Sequence, residues 1–470
     1  MLFNTWVFAA FFAITFAAYL ATSRWLSLQN IVLLVASYVF YGWWDWHFLG
    51  LIALSTAIDY VAGLRIADAE DPRTAKRWVT LSCISNLGIL AAFKYFDFFL
   101  GSLGELLTSM GWEAAMPSLS LVLPVGISFY TFQSMSYSID VYRGDTEVAR
   151  NPLHFAVYVA FFPQLVAGPI ERSSRFLPQV SQPRTVTLPG LESGLFLVLW
   201  GLFKKVVVAD NAALLANAVF DDPSAHTGAQ LWLGALAFTA QIYGDFSGYS
   251  DIARGLARAM GFELMVNFKL PYFAVSPSDF WLRWHVSLSS WLRDYLYIPL
   301  GGNRGGRGGT YRNLMLTMAL GGLWHGAAWN FVLWGIYHGV ILVVYRLAAH
   351  RPGPKLPDRV WWADLLRMGL MFPLTVFGWV LFRIASMADL QAFLAGAFTP
   401  SEVELGVDAV TLAALWAPVF LMQLAQLAWD DLLVALRLPL VLRGVLYGLL
   451  IAACVAFATG ESIEFIYFQF

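Results

Sequence analysis

The chain has 470 residues and a formal net charge of −2; 59% of its residues are hydrophobic and only 13% are charged. Soluble domains carry about 25% charged residues, so the composition is that of a polytopic membrane protein and excludes a soluble core held by one anchor. That net charge says nothing about nucleic acid, but no basic arm is present to bind it, so no nucleic-acid partner is expected.

The apolar stretch Phe3 to Leu20 has no Lys or Arg before it and no small-residue cleavage site after it, so it reads as a span and not as a signal peptide. Arg24 follows it, and positive-inside counting then places the N-terminus outside. Charge-poor windows recur near 3–21, 30–45, 48–64, 78–100, 118–139, 190–209, 228–244, 313–330, 331–345, 364–384, 409–429 and 444–460. Each is about one bilayer thickness at helical rise. The expectation is an all-α polytopic protein with about 11 or 12 transmembrane helices, organised as a single domain over 1–470.

Basic turns at Arg73, Lys76 and Arg77, at Arg304, Arg307 and Arg312, and at Arg346, Arg351, Lys355 and Arg359 are expected in the cytoplasm. Acidic turns at Asp221 and Asp222, and at Glu402, Glu404 and Asp408, are expected outside, as is the C-terminus. Residues 151–170 are apolar, carry three prolines, and have arginines on both sides; that pattern predicts a re-entrant excursion. Residues 245–300 are amphipathic and aromatic-rich, which predicts helices buried in the bundle or lying near its cytoplasmic face. Cys83 and Cys454 sit in apolar windows and read as packing residues.

Chemistry concentrates in three of the seven histidines. The 33-residue run 313–345 contains no Asp, Glu, Lys or Arg, yet it holds His325 and His338. Ionisable groups at that depth are functional by default. His325 lies among Gly321, Gly322 and Gly326, which weaken the helix and place it at a break. His338 comes 13 residues later, about 220° away on one straight helix at ~100° per residue, so the two belong on successive helices or on either side of a break. His338 either orients a partner or satisfies a carbonyl. His285 shares a helical face with Trp281 and Ser289 at i, i+4 spacing. His47, His226 and His350 read as solvated loop residues, and His154 opens the re-entrant stretch. The spacing offers no metal site, since no HExxH is present. The loop GGNRGGRGG (301–309) is not a Walker A motif; it is either a flexible basic turn or a place where Arg304 and Arg307 hold phosphates.

Several long segments carry a resemblance: LPVGISFYTFQSMSYSIDVYRGD (123–145), FFPQLVAGPIER (161–172), YGDFSGYSDIARGLARAMGF (243–262), NFKLPY (267–272), DFWLRWHVSLSSWLRDYLYIPLGGNRGG (279–306), YRNLMLTMALGGLWHGAAWNFVLWGIYHG (311–339) and FIYFQF (465–470). Together they resemble the membrane-bound O-acyltransferase family, in its bacterial alginate O-acetylation branch. The family's signature is a histidine in an apolar helix, preceded some tens of residues earlier by a second polar residue. His325 in GGLWHG and His285 in FWLRWHVS match these two positions.

The resemblance implies a helical bundle crossed by a central tunnel, with His325 and His285 as the catalytic pair at its waist. Trp324, Ser289 and His338 stand in support. It further implies acetyl-coenzyme A as donor substrate with no bound cofactor, and an inner-membrane location. The expected partners are a periplasmic or membrane-anchored polysaccharide acetyltransferase and the exopolysaccharide export machinery. Close alternatives are D-alanylation and peptidoglycan or cellulose acetylation. A polysaccharide or lipid transporter is the alternative of another class, and against it no inverted repeat is visible. A non-catalytic scaffold would leave both histidines unexplained.

Overall fold

The computed structural model describes residues 1–112, 115–349, 361–400, 406–458 and 465–466. The expectations for His350, for Arg351, Lys355 and Arg359, for Glu402 and Glu404, and for the last four residues of FIYFQF lie outside the described residues. Every regular element among the described residues is helical. The chain packs as two compact units, residues 1–195 with 253–265, and residues 196–252 with 266–470.

The first unit holds α1 (Trp6–Ala21), α2 (Leu26–Gly42), α3 (Leu49–Ala67), α4 (Pro72–Leu90), α5 (Phe96–Ser109), α6 (Ile127–Arg143), α7 (Pro152–Ala160), α8 (Phe162–Leu165) and α9 (Ser173–Ser181). Local sequence sets several starts. Asp71 caps α4 by accepting the Arg73 and Thr74 N–H groups, with Pro72 at the first helical position, where its missing donor costs nothing. From there the helix runs through a π turn (Ala91–Tyr95) into α5, giving 38 continuous residues, longer than the span expected at 78–100.

Helices α3, α4 and α6 are tied by polar contacts. The fully buried Asp59 carboxylate accepts from Ser82 Oγ (2.5 Å), Ser138 Oγ (2.7 Å) and Asn86 Nδ2 (2.8 Å). The expected window 118–139 becomes helical only at Ile127, after Gly126 in the left-handed region (φ 76°). Residues 127–138 are then buried, so α6 is a core helix of this unit.

The expected excursion at 151–170 is two short helices broken at Phe161, just before Pro163, and residues 157–171 are all buried. Broken backbone inside an apolar core needs partners for its freed groups. Ser37 Oγ accepts the Phe162 N–H (3.0 Å), and the Gln133 and Gln164 side-chain amides both donate to the Tyr158 carbonyl.

Two helices carry the chain between the units, α10 (Leu188–Leu202) and α12 (Ala229–Ala259). The second unit also holds α11 (Asp210–Phe220), α13 (Pro277–Arg283), α14 (Val286–Leu292), α15 (Gly306–His325), α16 (Trp329–Ala349), α17 (Trp361–Arg383), α18 (Met387–Ala397), α19 (Gly406–Trp429) and α20 (Leu440–Ala456). Residues 245–259, expected among separate amphipathic helices, are the second half of the 31-residue α12. Among the described residues, five helices are long and apolar enough to cross a membrane, and α1, α2 and α20 are shorter apolar helices.

Helices α15 and α16 pack backbone to backbone because both present glycine. A Cβ at Gly322 would overlap the Phe331 carbonyl, and one at Gly335 would overlap the Met318 carbonyl. Small residues that let backbones touch are the usual way helices pack in lipid. The pairing sets where His325 and Trp334 meet.

Candidate active site

His325 is the last residue of α15. Gly326 is extended (φ −160°, ψ 152°), and α16 begins at Trp329, so the break expected at His325 is present and His338 lies on the next helix. The His325 ring is buried, 5.1 Å from Trp334 and 5.4 Å from Phe382 between centroids.

His285 departs from expectation. It does not share a helical face with Trp281 and Ser289, because the helix ends before it and restarts after it. Ser276 caps α13 by accepting the Asp279 N–H, while Asp279 reaches back to the Val275 N–H and pairs with Arg283 one turn on. The chain then extends at Trp284, and His285 takes φ 43°, ψ 53°, the left-handed region that costs a non-glycine residue about 1–2 kcal/mol.

A strand-like pairing with a distant segment pulls the helix open. Lys269 N–H donates to the Arg283 carbonyl (2.9 Å), and Val286 N–H donates to the Asn267 carbonyl (3.0 Å). Asn267 Oδ1 accepts the Ser287 N–H (3.1 Å) and so caps α14 from outside. Periodicity carries no sign of this, since the competing partner lies some 20 residues away in sequence.

The break delivers His285 to His325. Their rings lie 6.4 Å apart between centroids, inclined at 59°, and Trp324 touches both, at 6.1 Å and 5.1 Å. Ser287 Oγ is 3.4 Å from His285 Nδ1, and Phe246 of α12 meets the imidazole edge-on at 4.7 Å.

A pocket of about 220 Å³ runs from His325 along one face of α15. Leu314, Thr317, Met318, Gly321 and His325 form that face; the eleven steps of helical rise from 314 to 325 make it ~16 Å long. The other wall is α14, with Leu288, Ser289, Leu292 and then Arg293, which stands with Tyr297. Ser289 therefore lines the pocket, although its hydroxyl donates to the Trp284 carbonyl (3.0 Å). His285 and Trp324 pack beside His325 but are not among the lining residues.

Arg304 and Arg307 are exposed, Arg304 in the turn before α15 and Arg307 in its first turn, and neither lines the pocket. The glycine-rich stretch is loop only to Gly305; residues 306–309 already belong to α15. Arg293 is the cation that faces the pocket, and sequence reasoning passed over it. The signal was available: 288, 289, 292 and 293 fall on one helical face next to His285.

His338 is fully buried one turn beyond Trp334. It packs edge-on against Trp334 (4.7 Å) and Trp281 (5.0 Å), two indoles that line the pocket. Neither ring nitrogen has a hydrogen-bond partner among the described residues.

A charged cluster in the same unit also escaped the sequence reading, which took 190–209 as a plain span. Lys204 donates to Asp251 (2.6 Å) and Ser247 (3.0 Å); Lys205 pairs with Asp210 (2.9 Å) and Asp245 (2.8 Å). Asp245 also accepts the Ile466 N–H (2.6 Å) and immediately precedes Phe246, the neighbour of His285.

The model of the membrane-bound O-acyltransferase family matches residues 149–351, which contain both histidines, Arg293 and the whole pocket. A probable alginate O-acetylase of Azotobacter vinelandii is 47% identical over 82% of this chain and 76% of its own length. The chain belongs to the membrane-bound O-acyltransferase family. Probable alginate O-acetylases of Pseudomonas aeruginosa (46% over 82% of this chain and 73% of that one) and Pseudomonas syringae pv. tomato (43% over 92% and 82%) are similar to it as well. It is a multi-pass membrane acyltransferase. Within that family assignment, the paired imidazoles at the inner end of an apolar pocket are its candidate reaction centre.

Proposed function

We propose that this acyltransferase takes acetyl from cytoplasmic acetyl-coenzyme A and passes it across the inner membrane for O-acetylation of an exported polysaccharide, alginate. The alginate assignment rests on the activity for which the relatives are named, at 43 to 47% identity. The transfer reading rests on one observation: two buried imidazoles meet at the end of a ~16 Å apolar pocket whose lining carries an arginine.

The donor's pantetheine arm is long and thin, and its nucleotide end is bulky and charged. The arm enters between α14 and α15, while Arg293, with Arg304 and Arg307 on the adjacent surface, holds the phosphates outside. His325 takes the proton of the acceptor hydroxyl as that oxygen attacks the thioester carbonyl, then returns it to the departing thiolate. One C–O bond forms, one C–S bond breaks, and free thiol leaves. A covalent acetyl-imidazole on His325 is the two-step version of the same transfer. His285 orients the carbonyl and stabilises the negative charge that develops on it, and Trp324 fixes the two rings relative to each other. A separate periplasmic or membrane-anchored acetyltransferase receives the group beside the polysaccharide export machinery, with both termini of this chain on the exterior side.

The test is acetyl-coenzyme A turnover by purified protein in nanodiscs, with labelled acetyl followed, comparing wild type with His325→Ala. Label on an acceptor, or thioester cleavage that stops in the variant, supports the assignment; equal turnover in both moves the chemistry away from His325.

A further inference from the structure

A second cavity, of about 660 Å³, opens in the second unit among the segment 269–283, the start of α17 and the end of α19. It lies at the level where two membrane-length helices terminate, because Asp364 and Leu365 belong to the first turns of α17 and Gln426 and Leu427 to the last turn of α19. Trp362 and Trp429, 62% and 58% exposed, mark the same level. Exposed tryptophan at span ends is the signature of the membrane–water interface.

Its lining carries both signs of charge on an apolar wall. Four carboxylates face two cations. Most of these groups are already paired within the chain: Asp279 with Arg283, Asp364 with Arg367 and Asp431 with Arg437. Lys269 and Asp430 are left over. Among the described residues neither the Lys269 ammonium nor the Asp430 carboxylate makes an ion pair or hydrogen bond, and both face the cavity. One unmatched cation and one unmatched anion in a single cleft complement a zwitterion. Leu282 and Leu365, 63% and 58% exposed, continue the cleft outward as an apolar surface.

We infer that this cleft binds the headgroup of a zwitterionic phospholipid of the ethanolamine class. Lys269 takes the phosphate, Asp430 takes the primary ammonium through its N–H donors, and the acyl chains leave along Leu282 and Leu365. The excess of carboxylates argues against the polyanionic end of coenzyme A, which would meet repulsion there.

Asp430 makes the idea testable without a folding ambiguity. It holds the left-handed position (φ 49°) at the C-terminus of α19, where the Asp431 N–H returns to the Gln426 carbonyl. Glycine is the preferred residue in such a motif, so Asp430→Gly deletes the charge and relieves the backbone.

The experiment is native mass spectrometry of the full chain from detergent, titrated with phosphatidylethanolamine and, separately, phosphatidylglycerol, with melting recorded in parallel. Wild type should retain one phosphatidylethanolamine at least tenfold more tightly than phosphatidylglycerol. Asp430→Gly should melt at or above the wild-type temperature and lose that preference, and Lys269→Ala should weaken both lipids. Unchanged phosphatidylethanolamine binding in both variants, equal binding of the two lipids by wild type, or displacement of the lipid by coenzyme A would each overturn the inference.

Discussion

The most direct test of how the site is built is Asn267→Ala. Asn267 does not approach a reacting group; it acts through His285, so it is a positioning residue. Its Oδ1 accepts the Ser287 N–H at the start of α14, while its amide meets Ser250 Oγ at 3.4 Å. Truncation leaves the Ser287 N–H, in a fully buried residue, without its partner. Losing an external cap of this kind costs about 1–2 kcal/mol. That is comparable to the ~1–2 kcal/mol holding cost of the left-handed His285 backbone, so the restart of α14 loosens where His285 is held in place. A displacement of about 1 Å at a catalytic group costs about 10²-fold in rate. We therefore expect thioester turnover to fall ~30- to 100-fold in kcat with a much smaller rise in the donor KM, because the α15 wall of the pocket is untouched and only the first turn of the α14 wall loosens. Ser250→Ala is the matched control: it removes the weaker contact of the same amide, leaves the cap on Ser287, and should stay within about twofold of wild type, since that long contact is worth little. Turnover and KM measured in nanodiscs decide the matter. Wild-type turnover in Asn267→Ala, or an equal loss in Ser250→Ala, would refute the positioning argument.

Three further outcomes follow from the geometry. His325→Ala should lower transfer by about 10²- to 10⁴-fold, the usual worth of a general base, while isothermal titration still detects donor binding. Arg293→Glu reverses the charge of the arginine that lines the pocket, and it should raise the donor KM about tenfold or more at low salt, an effect that shrinks as ionic strength rises. Gly335→Ala drives a methyl into the Met318 carbonyl, so it should destabilise the chain by about 1–3 kcal/mol, read as a lower melting temperature with activity lost in proportion to the shift of His325.

What was legible in the sequence was whatever a single helix decides. The break at His325 could be read from its glycines, and the separate helices of His325 and His338 from their angular offset. The unusual backbone at 151–170 could be read from its prolines. What stayed hidden was decided by distant segments. The αL turn at His285 exists because 267–269 pairs with 283–286, 14 to 19 residues apart in sequence and so well beyond the i, i+4 reach of a helix. Lys204 and Lys205 vanished into an apolar window because their carboxylates arrive from α11 and α12. Arg293 was overlooked because the more conspicuous arginines of the glycine-rich turn drew the phosphate reading, although they lie on the exposed surface.

The carboxylate of Asp59 bears on biogenesis. Its donors belong to later parts of the chain: Ser82 and Asn86 come 23 and 27 residues after it, and Ser138 comes 79 residues after it. When α3 leaves the ribosome alone, a bare aspartate in hydrocarbon costs roughly 2.5–3.5 kcal/mol at the helix centre. Ser82 and Asn86 both lie on α4, the next helix synthesised. Helix α3 therefore gains by waiting beside the insertion channel until α4 follows, and the two partition into lipid as a hairpin with the carboxylate already solvated by a hydroxyl and an amide. Replacing Ser82 and Asn86 together by alanine would leave the mature bundle only hydroxyls of α6, Ser138 foremost, to solvate Asp59, and it would register first as slower co-translational insertion of this hairpin, before any folded protein exists to be assayed.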